Sequence, residues 1–189
     1  MRILLDMDGV LCNMLPVLLQ RLNEKYNTTV AVEDICEWDI HKFFPELTAE
    51  QVYAPFAEPG FFNLDFEPVE GALEGVSTLK DLGHEIVIVT SCGAGKLRDK
   101  ELWFKRVFGK AMSVKDVKFV GTRHKYLVQG DVLVDDHVDN LEAYKQHHPE
   151  AETICFDHPY NKRWIGRRAL CWPDALTLIT GYALMKGVH

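Results

Sequence analysis

The chain carries five short apolar runs: Arg2–Leu5, Glu85–Thr90, Val117–Val120, Val132–Val134 and Thr153–Phe156. Each is β-branched or Leu-rich and too short for a helix, which predicts buried strands. Helical spacing fills the gaps. From Gly71 to Leu82, Leu73, Val76 and Leu79 fall on one face, and Gly83 follows as a stop signal. Lys96 to Phe108 sets Leu97, Leu102, Trp103, Val107 and Phe108 along a second helix, and Val138 to His147 reads as a third. Strands alternating with helices predict an α/β fold, a Rossmann-like parallel sheet.

The stretch from Leu15 to about Val69 breaks this alternation. Leu15, Leu18, Leu19 and Leu22 have helical spacing, and Thr48 with Gln51 three residues on forms a capping signal. Aromatics and prolines are dense from Trp38 to Phe66. This predicts a helical cap inserted after the first strand, over the carboxyl edge of the sheet, where open α/β sheets bind ligands. The expected division is 1–14 and 70–189 as core and 15–69 as cap.

Composition narrows the options. The 189 residues hold 21 Lys+Arg and 28 Asp+Glu, a formal charge of −7. That argues against a long nucleic acid as partner, which demands a basic footprint, but leaves room for a small phosphorylated molecule. No apolar run approaches the roughly 18 residues of a membrane span. The first apolar run is cut by Asp6 and Asp8, so no secretory signal is expected. Five cysteines without a CxxC pair fit reduced thiols in a cytoplasmic protein.

Four segments carry candidate chemistry, each at or just past the carboxyl end of a predicted strand. Asp6-Met7-Asp8-Gly9 puts two carboxylates at i and i+2 beside a glycine that permits a turn. With Mg²⁺ as counter-charge, one acid can serve as nucleophile and the other as general acid/base; the same residues also make a solvated turn. Thr90-Ser91 offers hydroxyls to a phosphate, or is simply a turn. Lys125 could neutralise a phosphate, or be solvated. Asp135-Asp136 ends an apolar strand with adjacent like charges that call for a cation, or caps the next helix. The order acid pair, hydroxyl, lysine, acid pair supplies a metal site, a phosphate cradle and a nucleophile together.

These motifs, DMDGVLCN at 6–13, IVTS at 88–91 and VGTRHKYLVQGDVLVDD at 120–136, resemble the haloacid dehalogenase superfamily. With GFFNLDFEPVEGALEGV at 60–76 and CWPDAL at 171–176, the closer resemblance is to the 5'(3')-deoxyribonucleotidases. The resemblance implies that Asp6 attacks phosphorus and forms an aspartyl-phosphate. Asp8 then protonates the leaving oxygen and activates water. Mg²⁺ would be held by Asp6, the Asp8 carbonyl and Asp136, with Asp135 as supporting partner. Thr90, Ser91 and Lys125 would bind the phosphoryl group. The expected reaction is hydrolysis of a nucleoside monophosphate, chiefly a deoxyribonucleotide. A sugar phosphate or other small ester, or a non-catalytic ligand-binding role, stays open, as does a homodimer. Phe62, Phe44 and Met14 are the candidate substrate contacts. Met14 stands where this family usually has an aromatic, His137 where it often has a basic residue, and Cys92 where it commonly has proline. The segment Tyr160–Trp164 with Arg167-Arg168 is a local basic stretch that could contact the leaving group but reads rather as a solvated loop.

Overall fold

The computed structural model describes residues 1–64, 66–93 and 95–188. Asp65, inside the stretch matched at 60–76, and His189, the last residue of the expected core, lie outside them. Six strands, β1 (Arg2–Leu5), β2 (Glu85–Thr90), β3 (Lys118–Gly121), β4 (Val132–Asp135), β5 (Glu152–Phe156) and β6 (Arg167–Ala169), form one sheet in the order β3-β2-β1-β4-β5-β6. Every pairing is parallel. Successive side chains alternate between faces. Ile3, Leu5, Ile86, Ile88, Val132 and Val134 belong to one core layer, and Leu4, Val87, Val89 and Leu133 to the other. Both faces are therefore buried, which is why these strands read as continuous apolar runs.

The first layer meets α3 (Ala72–Asp81) through Val76 and Leu79, α4 (Lys96–Phe108) through Trp103 and Phe104, and α6 (Trp172–Met185) through Trp172 and Ile179. The second meets α5 (Val138–His147) through Leu141 and Tyr144. Between β1 and α3 come α1 (Leu15–Tyr26), α2 (Ala49–Tyr53) and, among the described residues, four 3-10 turns. Thr48 and Gln51 close the expected capping box on α2, Gln51 N donating to Thr48 Oγ1 at 3.2 Å and Thr48 N to Gln51 Oε1 at 2.8 Å. Leu18, Leu19, Ile35, Phe44 and Val52 of this segment share one continuous core with the sheet.

Two elements differ from the sequence expectation. Arg167–Ala169 is an edge strand rather than a solvated loop, with Cys155 opposite Arg168 and Phe156 opposite Ala169. Three residues at an edge, two of them charged, carry no apolar alternation to announce them. The helix over Trp172–Met185 has no counterpart in the sequence reading. Thr177, Thr180 and Gly181 interrupt its apolar spacing.

Candidate active site

The chain enters the sheet at β1 and winds outward on both sides, so the strand order reverses there and a crevice opens at the carboxyl ends of β1, β2 and β4. Asp6 and Asp8 follow β1, Ser91 follows β2, Lys125 lies four residues past β3, and Asp135-Asp136 close β4. Parallel register thus converts four separated motifs into one neighbourhood. Its cleft is about 840 Å³. Asp6, Asp8, Ser91, Lys125 and Asp136 line the polar end. The segment between β1 and β2 supplies much of the opposite wall, including Ile35, Trp38, Tyr53, Phe56 and Phe62.

Lys125 is buried, and its ammonium lies 2.6 Å from Asp6 Oδ1 and 2.7 Å from Asp135 Oδ2. Burial alone would lower its pKa, but Asp135 and then Asp6 outweigh that and hold it above the ordinary lysine range. Asp135 Oδ1 also accepts from the His137 backbone N–H at 2.9 Å and from Asn140. Burial raises the Asp135 carboxyl above its ordinary value, with Lys125 opposing. Asp136 is raised further, by burial first and then by Asp6 and Asp135.

Asp6, Asp135 and Asp136 present carboxylate oxygens within 4.8 Å of one another. At that spacing two carboxylates repel by roughly 3–4 kcal/mol at an effective dielectric of about 20. One lysine cannot neutralise three. Asp136 Oδ2 accepts from the Tyr160 hydroxyl at 2.6 Å, while Oδ1 is buried with no hydrogen-bond partner. Gly9, at φ +77°, leaves room beside this carboxylate; a Cβ there would run into Asp136 Oδ2. A buried, all-oxygen set with excess negative charge and one unpartnered oxygen, Asp136 Oδ1, fits a hard divalent cation.

Asp8 has its own cation. Lys100, fully buried, donates from Nζ to Asp8, to Thr90 Oγ1 at 2.7 Å and to Ser91 O at 3.2 Å, and lies 4.7 Å from the centre of the Phe62 ring. The sequence reading passed over Lys100. The available signal was its place three and four residues before Trp103 and Phe104, on the buried stripe of α4.

The remaining expected residues divide. Ser91 is exposed in the cleft, and Met14 and Phe62 line it. Thr90 is completely buried, and its hydroxyl accepts from Lys100 instead of facing the cleft. Phe44, 1% exposed, packs in the core and offers no ring face to a ligand. The most exposed aromatic lining the cleft is Trp38, 52% exposed, with its ring 4.0 Å from His137 and edge-on to Tyr160 at 5.4 Å. Tyr160 and Asn161 are not a solvated loop: Asn161 is buried and donates to the carbonyls of Asp136 and Phe156.

Comparison with known proteins bears on the family and the fold. Residues 1–185 match the family described as "5' nucleotidase, deoxy (Pyrimidine), cytosolic type C protein". The chain is 30% identical to the 5'(3')-deoxyribonucleotidase of Clostridium acetobutylicum over 178 residues, covering 88% of this chain and 92% of that one. It is 29% identical to the cytosolic-type 5'(3')-deoxyribonucleotidase of Homo sapiens over 187 residues, covering 92% and 90%. Among solved structures, a HAD family hydrolase from Deinococcus radiodurans superposes with a TM-score of 0.61 at 18% identity, covering 97% of this chain and 96% of that one. At that identity the match concerns the fold.

Proposed function

The chain belongs to the cytosolic type C family of deoxy (pyrimidine) 5' nucleotidases, a family of phosphoric monoester hydrolases, and on that premise we propose that it hydrolyses nucleoside monophosphates, chiefly deoxyribonucleotides, to nucleoside and phosphate. The observation that carries this reading is the Lys125 ammonium held between Asp6 and Asp135 at the floor of a cleft whose far wall is aromatic. A phosphoryl group needs positive charge around its equatorial oxygens and a nucleophile in line, and a base needs a π face.

Asp6 is the nucleophile. Its carboxylate oxygen bonds to phosphorus as the bond to the sugar oxygen breaks, and Asp8 gives that oxygen a proton. Water then attacks the aspartyl-phosphate, Asp8 takes its proton, and phosphate leaves with Asp6 regenerated. Lys125 and Ser91 hold the phosphoryl oxygens; Thr90 acts behind them by fixing Lys100, which in turn fixes Asp8. A divalent cation, Mg²⁺ by the hard-oxygen chemistry of the site, would be held by the Asp6 carboxylate, the Asp8 backbone carbonyl and Asp136, and would supply charge that lets one anion approach another. Asp135 supports this set by anchoring Lys125 and the His137 N–H. Residues 15–69 serve as the cap over the core formed by 1–14 and 70–189. Phe62 and Met14 face the base, with Trp38 on the same wall. Stacking of this kind is worth about 1–3 kcal/mol per base.

The test is a phosphate-release screen over deoxyribonucleotides, ribonucleotides and sugar phosphates with Mg²⁺, run beside Asp6→Asn. Deoxyribonucleotides should turn over best, and the variant should fall to background with its circular dichroism unchanged. Preference for a sugar phosphate would overturn the substrate class. Near-normal turnover by the variant would overturn the nucleophile.

A further inference from the structure

One short turn touches both loops that carry the carboxylates. It follows β5 and spans Pro159–Asn161. From its N-terminal side, His158 Nε2 donates to the Gly9 carbonyl at 2.8 Å, reaching the loop of Asp6 and Asp8. From its centre, Tyr160 donates its hydroxyl to Asp136 Oδ2 at 2.6 Å. From its end, Asn161 Nδ2 donates to the Asp136 carbonyl at 2.9 Å. The His158 and Tyr160 rings stack at 4.9 Å with 4° between planes. The turn is itself held from β6: Arg168 donates to Asn161 Oδ1 at 2.7 Å, to Asn161 O at 2.9 Å and to Asp157 Oδ1 at 2.6 Å.

The consequence falls on Asp136. One of its oxygens, Oδ2, is occupied by the Tyr160 hydroxyl and sits in the space that a side chain at Gly9 would fill; the other, Oδ1, is buried and bare. Such a carboxylate has one oxygen to give. Cations differ in what they ask of it. Mg²⁺ requires near-octahedral geometry at about 2.0–2.1 Å and suits single-oxygen carboxylate ligands, whereas Ca²⁺ takes roughly 6–8 oxygens at about 2.3–2.6 Å and readily accepts both oxygens of one carboxylate.

We propose that Tyr160 is a positioning residue that limits Asp136 to one-oxygen coordination and thereby sets the preference of the site for Mg²⁺ over Ca²⁺. This rests on the reading of the acidic cluster as a divalent-cation site. Partners behind a ligand fix its orientation, and their loss commonly weakens metal binding by about 10–100-fold. Here the loss is selective, because freeing Oδ2 removes the restraint that favours the smaller ion and adds a ligand atom for the larger one.

Tyr160→Phe keeps the ring against His158 and Trp38 and deletes only the hydroxyl. Titration calorimetry with Mg²⁺ alone and with Ca²⁺ alone, on the wild-type chain, Tyr160→Phe and Asp136→Asn, separates the possibilities without reference to turnover. The expected result is a Mg²⁺ affinity about tenfold or more lower in Tyr160→Phe with Ca²⁺ affinity unchanged or raised, so that the Mg²⁺/Ca²⁺ preference narrows. Equal loss for both ions would reduce Tyr160 to packing and overturn the proposal, as would no change for either. If Asp136→Asn binds Mg²⁺ like the wild type, the cation site itself is refuted. If Asp136→Asn loses Mg²⁺ while Tyr160→Phe matches the wild type, the cation site stands and the role of Tyr160 falls.

Discussion

Replacing Lys100 with methionine tests how Asp8 is held. The lysine has no exposed surface, and its ammonium serves Asp8, Thr90 Oγ1, the Ser91 carbonyl and the face of Phe62. Methionine fills a similar volume and suits the aromatic surroundings, so no cavity term is expected. Removing one partner of a fully buried ion pair costs about 3–5 kcal/mol. The Asp8 side chain, however, is 28% exposed, so water reaches the orphaned carboxylate and screens part of the loss. What remains is the Ser91 carbonyl and the Thr90 hydroxyl without their donor, which places the destabilisation at about 1–3 kcal/mol, readable from urea melts. The catalytic effect has a sharper signature. A general acid contributes about 10²–10⁴-fold. An untethered Asp8 should forfeit part of that, about 10–100-fold in kcat/KM on a deoxyribonucleotide, whose sugar alkoxide leaves badly without a proton. On p-nitrophenyl phosphate, whose phenolate leaves unaided, the loss in kcat/KM, which stops at the first phosphoryl transfer and so excludes the hydrolysis step common to both esters, should be only a few fold. Equal losses on the two esters would refute the idea that Lys100 acts through the acid/base group, and would leave it a structural cation.

Phe44→Ala and Phe62→Ala both remove a buried ring and should separate in the substrate ratio rather than in stability. The first empties a core position and should cost about 3–5 kcal/mol of stability while leaving the ratio of nucleotide to p-nitrophenyl phosphate turnover unchanged; the second should lower nucleotide use relative to the small ester by about 1–3 kcal/mol, and the reverse pattern would overturn the assignment of Phe62 to the substrate. His158 is held below its ordinary value of 6.5, chiefly by burial. Its neutral form therefore contributes stability that is fully present above pH 6.5 and is lost as the pH falls through the lower folded-state value. Thermal melts between pH 7.5 and 5 should show that decline, and His158→Gln, which does not titrate, should flatten it; an unchanged slope would contradict the burial argument.

The sheet was legible wherever both of its faces are covered. Arg2–Leu5 and Glu85–Thr90 have the bounds expected from their apolar runs, because a strand buried on two sides leaves little choice of residue. The capping box at Thr48 and Gln51 was legible because all its atoms lie within four residues. β6 was not. What holds it is the ladder to β5 and the bonds from Arg168 to Asp157 and Asn161, none of which leaves a local pattern. Within the segment between β1 and β2, Phe44 and Phe62 are indistinguishable as letters. Both rings belong to one buried core, and only the packing brings the edge of that core at Phe62 to the cleft wall while taking Phe44 away from it.

The same distinction runs through the site. Asp6, Ser91, Lys125 and Asp136 could be found because each follows a parallel strand, and a parallel sheet brings all such ends to one edge. Lys100 and Tyr160 approach from a helix and from a turn, so their sequence positions promise nothing. Yet charge counting narrows the gap. Two carboxylates on one short loop, Asp6 and Asp8, are each partly or wholly withdrawn from water, and a buried carboxylate demands its own cation. Lys125 reaches Asp6 and is shared with Asp135; it cannot also serve Asp8. The loop therefore requires a second cation from elsewhere in the chain. A lysine on the apolar stripe of a helix is what such a requirement looks like in sequence, since an ammonium is buried only where an anion waits for it. Lys100, three residues before a fully buried tryptophan, meets that description, and its pairing with Asp8 is its physical reason for being there.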